Sequence, residues 1–343
     1  MKTITTLSSL SKHVVGIRGK FQAVGQHSHS MQYIVKRRVG IIVGKILLYL
    51  VLVALSFVFL YPLLFLMSQS LMMPSDVSDS TVQWVPKQFD LTNYKLAWSA
   101  LGGYPNRTYW NAFQYSVIIS FASSLLQVFS CALAGYALGR YRFPGYTFVL
   151  SLVLFSFLVP PQTLLVPLFQ QFSNFGWINT FWPFIVPSAL GHGLKGALFV
   201  LIFIQFFFRL PSVLEEAARI DGASAFRTFY QIMLPLARPA MLVVFLFSVV
   251  WHWNDVFYSN LYLRFPKYYN LSQTLGLFNG VGAAQFQAAT AGLSNSQTIG
   301  AAPTLLNQVM AASLLTILPM LVMYLFTQRY FVESVERTGI AGE

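Results

Sequence analysis

Charge is the scarcest property of this sequence. Only 9% of its 343 residues are Asp, Glu, Lys or Arg, while 56% are hydrophobic and 16% aromatic; soluble globular chains carry about 25% charged residues. That shortage excludes a water-solvated globular fold and points to an integral membrane protein. Cysteine is scarcer still. A lone Cys131 excludes an internal disulfide and any cysteine-built metal cluster. Phosphate-binding chemistry is missing as well, because a loop that wraps phosphates with its N–H groups needs G-x-x-x-x-G-K-[ST]. The nearest string, Gly40-Ile41-Ile42-Val43-Gly44-Lys45-Ile46, is one residue short and continues into an apolar run instead of a Ser or Thr. No carboxylate pair, metal-ligand cluster or Ser/His/Asp set stands out. The chain is therefore expected to be no enzyme and to hold no metal or cofactor of its own.

Long apolar runs are what the sequence does contain. A helix that crosses a bilayer needs about 20 apolar residues, and six runs qualify: 46–68, 112–138, 146–170, 181–208, 240–258 and 303–326. Each is too long for a buried strand and lacks the alternation of a barrel strand. The expected fold is all-α and polytopic, with six transmembrane helices in one domain over 46–328, a basic arm over 1–45 and a tail over 329–343. The first run starts too late, and is too long, for a cleaved signal peptide, so it is read as an uncleaved span. The arm contains no acid and reads as a disordered or membrane-skimming segment. No internal repeat is visible.

The net charge of +12 reports topology. Sixteen Lys and Arg fall in the arm, at 140–142, in 209–239 and in the tail; five fall in the alternate loops (Lys87, Lys95, Arg107, Arg264, Lys267), and Lys195 lies within a run. An excess of basic residues marks the cytoplasmic side. Both termini and 209–239 are thus expected in the cytoplasm, with the basic charge facing anionic lipid and not nucleic acid. On the opposite side, 69–111 carries Pro74, Pro86, Asp90 and the string FDLTNY and reads as a small ordered loop. Residues 259–302, rich in Gly, Ala, Ser, Gln and Asn, are too polar to span.

One cytoplasmic stretch, RLPSVLEEAARIDGASAFRTFYQIMLPLARP at 209–239, gathers seven charges among apolar residues spaced as on a packed surface. Pro211 followed by Ser212 and, three residues on, Glu215 has the pattern of a capping box. A helix is predicted from about Val213, with Leu214, Ala217 and Ala218 on one face. Gly222 supplies a break, because glycine readily takes the left-handed conformation of a helix end. Ser224 then caps a second helix in which Phe226, Phe229, Tyr230 and Met233 are spaced for a common face, and Pro235 ends it. A helix lying on lipid would be rich in Lys and Arg on its polar face. Here Glu215, Glu216 and Asp221 stand against Arg219 and Arg227, so a protein partner is the better expectation.

These residues carry a resemblance. Glu216, Ala217, Ala218, Gly222, Ile232, Leu234 and Pro235 fill every fixed position of EAA-x3-G-x9-I-x-LP, the signature of permease subunits of bacterial ATP-binding-cassette importers. EEAARIDGAS, WNDVFYSN within 251–260, and QRYFVES at 328–334 are similar to the carbohydrate branch, close to the smaller permease subunit of the maltose transporter. The resemblance covers the chain from about Tyr33 onward; the basic arm and the loop 259–302 match less. It implies a type I importer permease fold in the bacterial cytoplasmic membrane. Its cytoplasmic coupling helix would dock on a separate ATPase through Glu215, Glu216, Ala217, Ala218, Asp221, Gly222, Ala223, Ser224 and Phe226. The implied partners are a second permease subunit, two nucleotide-binding ATPase subunits that hold the ATP and Mg, and an external solute-binding protein. The implied cargo is a sugar, oligosaccharide or polysaccharide, with glycerol phosphate as an alternative.

Polar groups inside apolar runs mark candidate pathway residues. Lys195 would cost roughly 2.5–3.5 kcal/mol at the centre of a membrane helix, so with His192 it either lines a cavity or sits at an interface. The glycines beside them, Gly191, Gly193 and Gly196, suggest a close-packed or interrupted helix. Trp251, Trp253, Asn254 and Asp255 combine rings with hydrogen-bonding groups, as a sugar site does, although Trp also favours membrane interfaces. Pro160, Pro161 and Gln162 should break the third run. Gly135 and Gly139 read as a helix-packing pair. Two rival classes stay open, a secondary transporter or channel and a membrane scaffold. The first needs inverted repeats or buried carboxylates, and Asp255 at an edge is the nearest to one; the second needs no kinked, polar-lined helices.

Overall fold

The computed structural model describes residues 38, 40–73, 75–76, 79, 81, 84–102, 107–276 and 296–340, with side chains of the last helix described over 306–330. Most of the basic arm and residues 277–295 of the polar loop lie outside the described residues. Among the described residues every regular element is helical. α1 (Gly40–Ser70) runs across the boundary between two compact units, Met1–Phe65 and Leu66–Glu343, and the remaining elements belong to the second. They are α2 (Thr92–Ala100) and α3 (Tyr109–Arg140), the latter widened by one π turn at Ile118–Ala122. α4 (Tyr146–Leu158) and α5 (Pro161–Asn174) meet at 98°. α6 (Trp182–Ala189) is followed by α7 (Gly196–Arg209), and α8 (Val213–Ile220) leaves α7 at 77°. α9 (Ala225–Leu236) and α10 (Arg238–Trp253) also meet at 77°, and α11 (Phe257–Tyr262) and α12 (Ser296–Ile340) complete the chain.

Helices and apolar runs do not coincide. By length and composition α1, α3 and the Leu306–Tyr330 part of α12 can each cross a membrane alone, while α4–α5, α7–α8 and α9–α10 qualify only as bent pairs. The run 146–170 is therefore two helices, and Pro160 and Pro161, which lack N–H donors, stand at the break. The run 181–208 is interrupted over 190–195, where Gly191 and Gly193 fall, and resumes at Gly196. The run 240–258 is shorter than expected, because α10 stops at Trp253. There the Asp255 carboxylate accepts from Tyr258 N (3.2 Å) and Ser259 N (2.9 Å) and starts α11 instead.

In lipid, helices are held by close packing and hydrogen bonds and not by the expulsion of water. The main core obeys that rule. Phe199, Phe203 and Phe207 of α7 are fully buried against Cys131, Ala132 and Tyr136 of α3. A Cβ added to Gly135 would collide with Phe203 Cβ, and one on Gly139 would lie 3.1 Å from the Ile204 carbonyl oxygen, so the glycine pair is a helix contact. A second core joins α2, α3 and α12 through Ala97, Tyr109, Ala112, Ala311 and Ala312, with Trp253 among them.

The described parts of loops 69–111 and 259–302 are held by specific hydrogen bonds. Asn93 Nδ2 donates to Ser70 O (3.1 Å) and Met72 O (3.0 Å), and Asn307 Nδ2 donates to Met72 O (2.6 Å), tying α2 and α12 to one turn. At the exposed rim Lys87 Nζ lies 2.6 Å from Asp79 Oδ2 and, chiefly by that hydrogen bond, holds the carboxyl well below its usual range. The described start of the polar loop, 259–276, is no solvated tether. Asn270, Leu271 and Gln273 are buried. Gln273 Nε2 donates to Leu263 O (3.0 Å), Leu271 N donates to Ser116 Oγ (2.9 Å), and Ser272 Oγ donates to Trp253 O.

Candidate functional site

α8 begins at Val213, the residue where the sequence predicts it. The capping box does not form: Ser212 makes no side-chain cap, and only its carbonyl is used, by Glu215 N and Glu216 N. Glu215 turns inward instead. Its Oε1 lies 3.0 Å from Arg140 Nε, with both side chains less than a tenth exposed (9% for Arg140 and 8% for Glu215). Arg140 Nη1 also donates to Leu210 O at 2.9 Å and to Phe207 O at 3.4 Å. One guanidinium thus joins the end of α3, the end of α7 and the first turn of α8.

Within the chain α8 buries Glu215 and Ala218, while Leu214 and Ala217 are exposed. Gly222 takes φ 77°, a conformation costly for residues with a Cβ. Ser224 Oγ accepts from Arg227 N at 3.3 Å and opens α9, as predicted. The expected common face of α9 splits. Phe229 and Met233 enter the core, while Phe226 (67%) and Tyr230 (61%) remain exposed. A π turn spans Phe229–Met233 within α9. The same turn accommodates Pro235, so the break comes after Leu236 and not at the proline. Around the bend, Glu216, Ala217, Asp221, Ser224 and Phe226 are exposed, with Ala223 half-buried. Val213, Ile220 (87%), Phe226 and Tyr230 form an apolar rim to this elbow.

A cavity of about 220 Å³ lies within the second unit, between the α4–α5 break, the α6–α7 interruption and the end of α10. His192 and Lys195 both line it. Lys195 Nζ stands 5.5 Å from the centre of the Trp251 ring, a cation–π distance. The other sequence candidates do not line it. Gln162 is exposed, and Trp253, 2% exposed, donates from Nε1 to Thr316 O (3.1 Å) as a core residue. Asn254 is exposed and bonds back to Val250 O at 3.0 Å, while the Asp255 carboxylate, one residue ahead of the α11 N-cap, is taken up by Tyr258 N and Ser259 N.

Behind the cavity runs a buried polar chain that sequence reasoning missed. Ser248 Oγ donates to Gln127 Oε1 (2.7 Å), and Gln127 Nε2 donates to Leu194 O (2.9 Å) inside the α6–α7 interruption. His252 Nδ1 lies 2.9 Å from Ser248 O and so must be the donor, while Nε2 faces Ser188 Oγ at 3.4 Å. Ser130 Oγ donates to Ser188 O at 2.8 Å. Unwound backbone at membrane depth survives only where protein satisfies its polar groups. These side chains do that for 188–194. The signal was present: Ser248 and His252 are four residues apart, hence on one helix face, within an otherwise apolar run.

Comparison with known proteins bears on this geometry. The family described as "Binding-protein-dependent transport system inner membrane component" matches residues 132–337. The chain is 27% identical over 290 residues to the arabinooligosaccharides transport system permease protein AraQ of Halalkalibacterium halodurans, covering 84% of this chain and 93% of that one. It is 26% identical to the probable ABC transporter permease protein YurM of Bacillus subtilis, covering 87% of each. It is 27% identical to the sn-glycerol-3-phosphate transport system permease protein UgpE of Yersinia pestis, covering 76% of this chain and 85% of that one. Among solved structures, a chain of a bacterial ABC transporter involved in import of the acidic polysaccharide alginate superposes with TM-score 0.63. That match covers 84% of this chain and 96% of the other at 20% identity, a likeness of fold.

Proposed function

Because the chain belongs to the family of binding-protein-dependent transport inner membrane components, we propose that it is one permease half of an ATP-driven importer for a sugar, an oligosaccharide or a polyol phosphate. Its six apolar runs, with both ends in the cytoplasm, form half of the pathway beside a second permease subunit. An external binding protein delivers the solute, and two separate subunits hydrolyse ATP. The elbow α8–Gly222–α9 docks on one of them through Glu216, Ala217, Asp221, Ser224 and Phe226 and its apolar rim. Closure of the ATPase pair then moves the elbow and with it the bundle, opening the cavity alternately to each side.

The observation that carries this reading is the elbow itself. A helix, a positive-φ glycine and a second helix expose Ile220 and Phe226, yet Arg140 and Glu215 clamp the same element to the transmembrane core. An exposed apolar surface on a rigid attachment suits a mechanical linkage. The relatives' names support a carbohydrate or polyol-phosphate cargo. Affinity purification from the native membrane followed by mass spectrometry tests the assembly. Recovery of a second permease and a nucleotide-binding subunit is expected; recovery of the chain alone, or as a homodimer without an ATPase, contradicts it.

A further inference from the structure

We propose that the cavity beside α7 is an anion subsite, so that the solute passing this subunit carries a carboxylate or phosphate group; the proposal rests on the chain being a solute permease. Neither Asp nor Glu lines the cavity, whereas Lys195 and His192 do. Among the described residues the ion pairs are Lys87–Asp79 and Arg140–Glu215, so Lys195 has no carboxylate partner there. Its ammonium has the Trp251 ring face and the open cavity. Lys195 also takes φ 59° at the residue before α7 starts, uncommon for a residue with a Cβ.

Depth makes the cation informative. The 14 residues of α7 rise about 21 Å from the turn at Leu210 toward Lys195, well into a hydrocarbon core of about 30 Å. A cation held there without a counter-charge marks a polar pathway. The cavity wall adds a second source of positive potential. Ala197 and Leu198, in the first turn of α7, line it. First-turn N–H groups lack intrahelical acceptors and form the positive end of the helix dipole. Lys195, His192 and this helix end therefore converge on one small volume lined by no carboxylate, the nearby Asp255 being taken up by the N–H groups of Tyr258 and Ser259, which attracts an anionic group and gives a neutral sugar no counterpart to the charge.

Equilibrium dialysis on the purified complex containing this chain tests the proposal with three labelled probes: trigalacturonate, sn-glycerol 3-phosphate and neutral maltotriose. Binding of at least one anion in preference to maltotriose is expected, and which anion binds separates a carboxylate from a phosphate cargo. Lys195→Gln is expected to weaken that binding about tenfold or more, the loss of one charge-assisted contact, and Lys195→Arg to restore most of it. The wild-type preference reads the proposal even if a variant folds poorly. Maltotriose bound as well as either anion, binding of no probe, or anion affinity unchanged in a well-folded Lys195→Gln would overturn it. An ATPase missing from the complex would instead sink the importer reading, and dialysis would still report on this cavity.

Discussion

At the scale of single residues the contact that matters most is the buried pair Arg140–Glu215, because it lies between residues 75 apart in the chain. Removing one member of a buried pair strands the other charge, at about 3–5 kcal/mol, whereas replacing both by apolar residues of similar volume is often nearly neutral. Arg140→Met is therefore expected to lower the thermal midpoint of the purified complex sharply, and Arg140→Met with Glu215→Met to recover most of it. A single variant as stable as wild type would show that the clamp contributes nothing. Sequence could not have found this pair. Glu215 directly precedes the signature string and reads as part of the docking surface, and spacing carries no information on a partner from another helix. Lys195 and Gly135 were legible for the opposite reason: a charge, or a glycine four residues from another, is anomalous inside an apolar run whatever surrounds it.

At the scale of elements the elbow was the most readable part of the chain. Local rules place the start of α8, the bend at Gly222 and the Ser224 cap, because each depends on residues within one turn. They failed where the outcome depends on register. Tyr230 stays out of the core, and the helix continues through a π turn at Phe229–Met233 and past Pro235. Gly222→Pro cannot hold φ 77°, since proline fixes φ near −65°. Membrane insertion is expected to survive and ATP hydrolysis to persist, while ATP-dependent uptake falls about tenfold or more, each decade being about 1.4 kcal/mol of lost coupling. Normal uptake in that variant would remove the linkage. Ile220→Cys, at an exposed position in a chain whose lone Cys131 is buried, is expected to crosslink to a cysteine in the cleft of the ATPase. Failure at several cleft positions would argue against docking there.

At the scale of the whole molecule, composition together with the length and pattern of the apolar runs defined a helical membrane protein, and the runs located its apolar helices to within a few residues at most ends. What composition hid is that three of the six candidate spans are bent pairs. The separate interruption between α6 and α7 is stabilised by contacts far apart in sequence, such as Gln127 with Leu194 O and Ser248 with Gln127. That interruption and the α4–α5 break border the cavity, so the cavity was the least legible feature of the chain. The measurement that tests the account most directly is uptake into proteoliposomes holding the full complex, with ATP on the elbow side and solute-loaded binding protein on the other. Uptake is expected only when both are present, and is expected to be lost when ATP is replaced by a non-hydrolysable analogue. Uptake driven by an ion gradient with no ATP would contradict it and make the chain a secondary transporter.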